Sequence, residues 1–81
     1  MFEVIFDDKA IDFLTKLPKE LRKRIYNKVI STKENPFRYF EKLKEIDGYK
    51  LRVGEYRVIA DIDDKIITVL KVGHRKNIYD K

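Results

Sequence analysis

The stretch Gly48-Tyr49-Lys50-Leu51-Arg52-Val53-Gly54-Glu55-Tyr56-Arg57-Val58-Ile59-Ala60-Asp61-Ile62 decides the fold. Two alternating runs are separated by Gly54-Glu55, and a two-residue loop with glycine first is the type II′ hairpin signature, whose twist matches the strands it joins. Val53 then pairs with Tyr56, Arg52 with Arg57, Leu51 with Val58 and Lys50 with Ile59. Alternation sorts these side chains onto two faces. Tyr49, Leu51, Val53, Tyr56, Val58, Ala60 and Ile62 share the first, nearly all apolar, so helices must cover it. Lys50, Arg52, Arg57, Ile59 and Asp61 share the second, where two arginines stand opposite each other with a lysine diagonal to them. Like charges directly across strands are destabilising, and an anion between them would relieve the repulsion. Guanidinium forks suit a phosphate, which they hold with paired hydrogen bonds. The plain alternative is a solvated face on which the arginines pair with Glu55 or Asp61.

Working outward, Asp63-Asp64, with or without Lys65, is the next turn, and Ile66 to Val72 is a further strand. A three-residue loop places Lys71 opposite Arg57 on the cationic face; a two-residue loop places it on the other face. Gly73 ends the strand, and His74, Arg75 and Tyr79 follow in a tail able to curl over the cationic face. Upstream, Phe2 to Phe6 is a short strand of aromatic and β-branched residues. Asp7 or Asp8 then caps a helix with its carboxylate. That helix carries Ala10, Ile11, Phe13, Leu14 and Leu17 as an apolar stripe. Pro18 stops it and suits the first turn of a second helix, in which Leu21, Ile25, Val29 and Thr32 fall on one face. Asn35-Pro36 breaks the second helix. Phe37 to Glu45 has no clean periodicity and receives no element. The order is β-α-α-β-β-β: one α+β domain over residues 1–81, with two antiparallel helices packed on one face of a mainly antiparallel sheet.

The chain has 81 residues, and a chain of that size buries only roughly 60% of its unfolded surface, so one modest core is the ceiling. A dinucleotide-binding domain or barrel enzyme does not fit. At 43% hydrophobic residues the composition is that of a folded chain, although 41% are charged. No apolar run reaches membrane-span length, and Met1-Phe2-Glu3 does not open a signal peptide, so the expected place is the cytoplasm. Without cysteine and with His74 as the one histidine, no metal site is expected, and no cofactor motif is present. The formal charge is +5, and Lys16, Lys19, Arg22, Lys23, Arg24, Lys28 and Lys33 cluster with Glu20 as the one carboxylate among them. Such a surface attracts polyanions or an acidic protein, or is simply a solvated helix face. Lys50 is either an ordinary strand lysine or a proton acceptor. His74 is structural, or shuttles a proton or touches phosphate. Tyr79 is a packing anchor, an acid or a stacking platform; Tyr26, Tyr39, Tyr49 and Tyr56 read as core or rim.

Leu43-Lys44, then Gly48 to Ile59, then Val72-Gly73-His74-Arg75-Lys76-Asn77-Ile78-Tyr79 resemble the RelE-type toxins of the RelE/ParE superfamily, in the manner of a small archaeal-like member. The hairpin and the tail motif are specific together, and the amino-terminal strand and helices fit the same pattern. The resemblance implies a small helix-covered antiparallel sheet and metal-independent cleavage of messenger RNA in the ribosomal A site. It implies a cognate RelB-like antitoxin as partner, with operator DNA reached only through that antitoxin. It places Arg57 on the scissile phosphate, Arg75 and Tyr79 in the catalytic tail, and Lys50 and Arg52 at the hairpin's cationic positions. His74 stands where members carry Lys or His. Tyr79 or His74 would stack on a base or protonate the leaving 5′ oxygen. Arg22, Lys23, Arg24 and Lys28 would grip ribosomal RNA, with Lys71 as a further RNA contact. After Tyr79 the carboxy-terminal helix of some relatives has no counterpart. Three rivals stay open: a ParE-like toxin acting on DNA gyrase, a non-catalytic nucleic-acid-binding module, and a degenerate toxin homologue with no activity.

Overall fold

In the computed structural model, residues 1–44 and 46–78 are described. The elements are β1 (Glu3–Phe6), α1 (Asp8–Thr15), α2 (Lys19–Ser31), α3 (Pro36–Tyr39), β2 (Glu41–Lys42), β3 (Tyr49–Val53), β4 (Tyr56–Asp63) and β5 (Ile66–His74). They form one sheet in the order β1-β5-β4-β3-β2, antiparallel except where β1 runs parallel to β5. The segment left without an element supplies two. Pro36 opens the one-turn α3, where its fixed φ suits a first helical position, and Glu41–Lys42 adds an edge strand to β3.

The hairpin register is the expected one, with Arg52 opposite Arg57 and Lys50 opposite Ile59. Gly54 has φ +59°, while Glu55 is not among the residues of positive φ, which defines the type II′ turn. The next loop corrects the reading of Asp63-Asp64. Asp63 pairs with Ile66, and the loop is Asp64-Lys65, both with positive φ. That is a type I′ conformation, tolerated by Asp and strained for Lys. A bulge then shifts the register: Ala60 pairs with Val69 but Ile59 with Lys71, leaving Leu70 as the extra residue. The two-residue loop alone would have turned Lys71 inward; the bulge returns it to the face of Ile59.

The core lies between the helices and one sheet face. Ala10, Ile25, Val29, Val58, Ala60, Ile67 and Val69 are fully buried there. Ile11, assigned to the stripe of α1, is exposed instead, because an eight-residue helix presents only a narrow face to the sheet. Asp7 holds the N-cap position of α1 but makes no side-chain capping bond; its N–H donates to Val69 O at 2.8 Å and ties the helix start to β5. Thr32, just past α2, is buried and donates its hydroxyl to Val29 O at 2.7 Å, which removes the cost of an unpaired polar group.

Candidate functional site

The sheet face away from the helices carries a hollow of about 190 Å³ lined by Tyr39, Glu41, Lys50, Arg52 and Arg57. The hairpin register brings Arg52 and Arg57 to it from adjacent strands, and the edge strand β2 adds Glu41 opposite Lys50. Tyr39 comes from the end of α3. Arg57 folds back along its strand, its Nη1 donating to Gly54 O at 3.0 Å and Tyr56 O at 2.9 Å. Those bonds fix the guanidinium plane through one nitrogen. Among the described residues its Nε and Nη2 donors have no partner, so one edge of the fork remains for a bidentate acceptor. Lys50 Nζ lies 3.7 Å from Glu41 Oε1, a solvated pair that an incoming anion can separate.

Arg75 does not line this hollow. Its main-chain N–H donates to Glu55 O at 2.7 Å, and its Nε donates to the Glu55 carboxylate. The tail is thereby tied to the hairpin loop, one residue from Tyr56-Arg57. Gly73, paired with Arg57, makes this possible: a Cβ there would lie 2.8 Å from Ile78 Cδ1, so the buried Ile78 folds over the place where a side chain would stand. His74 pairs with Tyr56, their rings 5.4 Å apart, and so stands on the helix-covered face rather than with Arg52 and Arg57. Its Nδ1 accepts from Lys76 N–H at 3.2 Å and helps shape the turn. Tyr79 lies outside the described residues.

The hydrogen bond from Arg75, and then its charge, hold the Glu55 carboxyl below its usual range; lesser charge contributions come from His74 and Arg57, with partial desolvation opposing. A depressed folded pKa means the pair contributes above the ordinary glutamate range and is lost as pH falls through the folded value. Lowering the pH through that folded value is therefore expected to break the side-chain tie between tail and hairpin, leaving the main-chain bond from Arg75 N–H to Glu55 O to hold alone. The protection of Arg75 N–H, its exchange rate relative to the intrinsic rate at the same pH, should fall with acid in the wild-type chain and be already reduced at pH 7 in Glu55→Ala.

The basic helix residues divide. Arg24 and Lys28 line a second hollow with Asn27, Arg52, Val53 and Gly54. Lys23 and Arg22 line a different groove with Phe6, Ile11, Leu14 and Tyr26, and Arg22 Nη1 reaches the carbonyls of Thr15 and Leu17 at 3.4 and 3.5 Å, closing the end of α1. Lys71 lines a third groove with Lys9, Asp12, Phe13 and Lys16 of α1, away from the Arg52–Arg57 hollow. Two site residues were not singled out in the sequence, Tyr39 as a site group and Glu41; both lie in the segment whose periodicity is unreadable, and α3 brings in the first and β2 the second. Among the described residues no group of His, Asp or Glu is disposed to hold a metal ion, and no helix is long and apolar enough to cross a membrane.

The sheet and the helical hairpin over one face are those of a known class of small toxins. Residues 4–79 match the family described as ParE toxin of type II toxin–antitoxin systems. The chain belongs to the RelE/ParE family of type II toxins, and within it to the RelE type. Toxin RelE3 of Methanocaldococcus jannaschii is 32% identical over 85 aligned residues, 96% of each chain. Among solved structures, the RelBE2 toxin–antitoxin complex of Mycobacterium tuberculosis contains a chain that superposes with a TM-score of 0.83 at 28% identity, covering 91% of this chain and 98% of that one. The intact RelBE complex of E. coli gives 0.75 at 29% identity, with 91% and 96% covered. The RelB–RelE complex of Methanococcus jannaschii gives 0.74 at 28% identity, with 94% and 95% covered.

Proposed function

We propose that the chain is a cytoplasmic endoribonuclease that cuts messenger RNA in the ribosomal A site without a metal ion and is restrained by a RelB-like antitoxin. The observation that carries the reading is the direct opposition of Arg52 and Arg57 beside Lys50 in one solvent-open hollow. RNA brings its own nucleophile. The 2′-hydroxyl attacks the adjacent phosphorus, the 2′ proton passes to a base, the bond to the 5′ oxygen breaks and that oxygen takes up a proton. The products are a 2′,3′-cyclic phosphate and a 5′-hydroxyl. Arg57 and Arg52 hold the phosphate and stabilise the charge that grows on its oxygens. Lys50, parted from Glu41, neutralises charge on the phosphate and is the group assigned to take the 2′ proton. Arg75 leaves Glu55 for the phosphate when RNA arrives. Tyr79 supplies the proton or stacks on a base, and His74 is assigned to shaping the turn. Arg22 and Lys23, with Lys71, add salt-sensitive contacts to ribosomal RNA.

The partner follows from the relatives, several of which were solved with RelB-type antitoxins. An acidic antitoxin segment over the cations would neutralise the same charges that bind RNA, with operator DNA contacted through the antitoxin. A second reading, poisoning of DNA gyrase, draws on the ParE description of the matched family. One experiment separates them. Adding the chain to translating ribosomes and mapping message ends should give cuts at A-site codons bearing 2′,3′-cyclic phosphate. Intact message together with trapped gyrase–DNA complexes would establish the rival.

A further inference from the structure

Two hollows on this surface share a side chain, and an aromatic ring stands beside it. Arg52 lines both the Lys50–Arg57 hollow and the one formed by Arg24, Asn27 and Lys28. At the boundary, Lys28 Nζ lies 5.6 Å from the centre of the Tyr39 ring, and Tyr39 belongs to the first hollow. Gly54 brings the helix and the hairpin together: a Cβ on it would meet Arg24 Nη2 at 3.0 Å, while its carbonyl accepts from Arg57. The guanidinium groups of Arg24 and Arg57 thus lie on the same turn residue. Among the described residues the only ion pairs are Lys50–Glu41 and Arg75–Glu55, so Arg24, Lys28 and Arg52 have no carboxylate against them. Packing alone gives no reason to leave three unneutralised cations in one hollow, one of them over an aromatic ring that is 44% exposed. A cationic groove tracking a backbone with an aromatic platform beside it is how single-stranded nucleic acid is held.

We propose that Tyr39 and the Arg24–Lys28–Arg52 hollow bind the nucleotide next to the cut, its base stacked on the Tyr39 ring and its outer phosphate between the three cations. The proposal rests on the ribonuclease reading and deepens it, by making the α2–hairpin cleft a second RNA subsite. Stacking on an aromatic side chain tolerates any base, so Tyr39 contributes affinity and position more than sequence choice. Lys28 serves twice, steadying the ring through its π-face and facing the phosphate.

The test uses ribosomes programmed with a message that has a 2′-deoxy residue at the cut, which removes the nucleophile, and 2-aminopurine on one side of it or the other. Wild-type chain, Tyr39→Phe and Tyr39→Trp should quench the fluorophore on one side. Tyr39→Ala should not, and should bind about 5- to 100-fold more weakly. Arg24→Ala with Lys28→Ala should keep the quench while flattening the salt dependence of binding by about one to two in log–log slope. Absence of quenching by the wild-type chain, or Tyr39→Ala that quenches and binds like it, overturns the proposal. A wild-type chain that quenches but leaves unmodified message whole tells against the ribonuclease reading alone, because the quench needs no cutting.

Discussion

Arg57→Ala is expected to slow cleavage of ribosome-bound message by about 10²–10³, the loss seen when one preorganised donor to a developing oxyanion is removed. Its stability should hardly fall. The guanidinium touches only main-chain carbonyls at a solvent-facing turn, Gly54 O and Tyr56 O, which water can satisfy in its absence. Against that small loss stands the relief of a like-charged cross-strand pair with Arg52, worth roughly 0.2–1 kcal/mol. Arg57→Lys separates charge from geometry. A lysine keeps the positive charge but not the planar fork, so it should recover only part of the rate. Single-turnover cleavage and urea midpoints measured on the three chains give the answer. If Arg57→Ala cuts at the wild-type rate, or loses activity only in step with a lowered midpoint, then this arginine is a structural residue and the opposed pair needs another explanation.

That pair was legible because a two-residue loop with glycine first leaves one register, and register fixes faces. The same logic failed one hairpin later for a physical reason. Asp64-Lys65 takes the left-handed conformation at two non-glycine positions, and the bulge at Leu70 then undoes the face assignment, so Lys71 follows neither simple count. Ile11 shows a different limit: helical spacing reports which residues can share a stripe, not how wide a strip the sheet covers. Phe37 to Glu45 was opaque because a one-turn helix and a two-residue strand are too short to show a period. Tyr39 and Glu41 stand in this segment, so the sequence yielded the cations of the site and not the groups around them. His74 was legible as a motif residue, yet its pairing with Tyr56 puts the ring on the other face, which follows from the register of β5 against β4.

Gly73→Val tests whether the seating of the tail matters to the chemistry. Gly73 is opposite Arg57 in β4, and its missing side chain is what lets Ile78 fold down onto the sheet, where it is 3% exposed. The backbone there is ordinary strand, so valine suits it; the conflict is with Ile78 alone, whose Cδ1 and Cβ lie 2.8 and 3.4 Å from an added Cβ. Valine is therefore expected to expel Ile78 and with it the turn in which Asn77 and Ile78 donate to His74 O at 2.9 Å. Exposing that side chain costs about 1.5–3 kcal/mol, visible as a lower unfolding midpoint. Arg75 is carried away from the hairpin, and cleavage should fall at least as far as in Arg75→Ala, by about 10²–10³. Gly73→Ala meets the movable Cδ1 of Ile78 closely and its Cβ only at 3.4 Å, so a small rotation of that side chain should keep most of both properties. Ile78→Ala made alone should resemble Gly73→Val, and the two together should cost much less than their sum, since each removes the same contact. Additive losses would place the damage in the sheet itself, and full activity in Gly73→Val would mean that the phosphate is managed by Lys50, Arg52 and Arg57 without the tail.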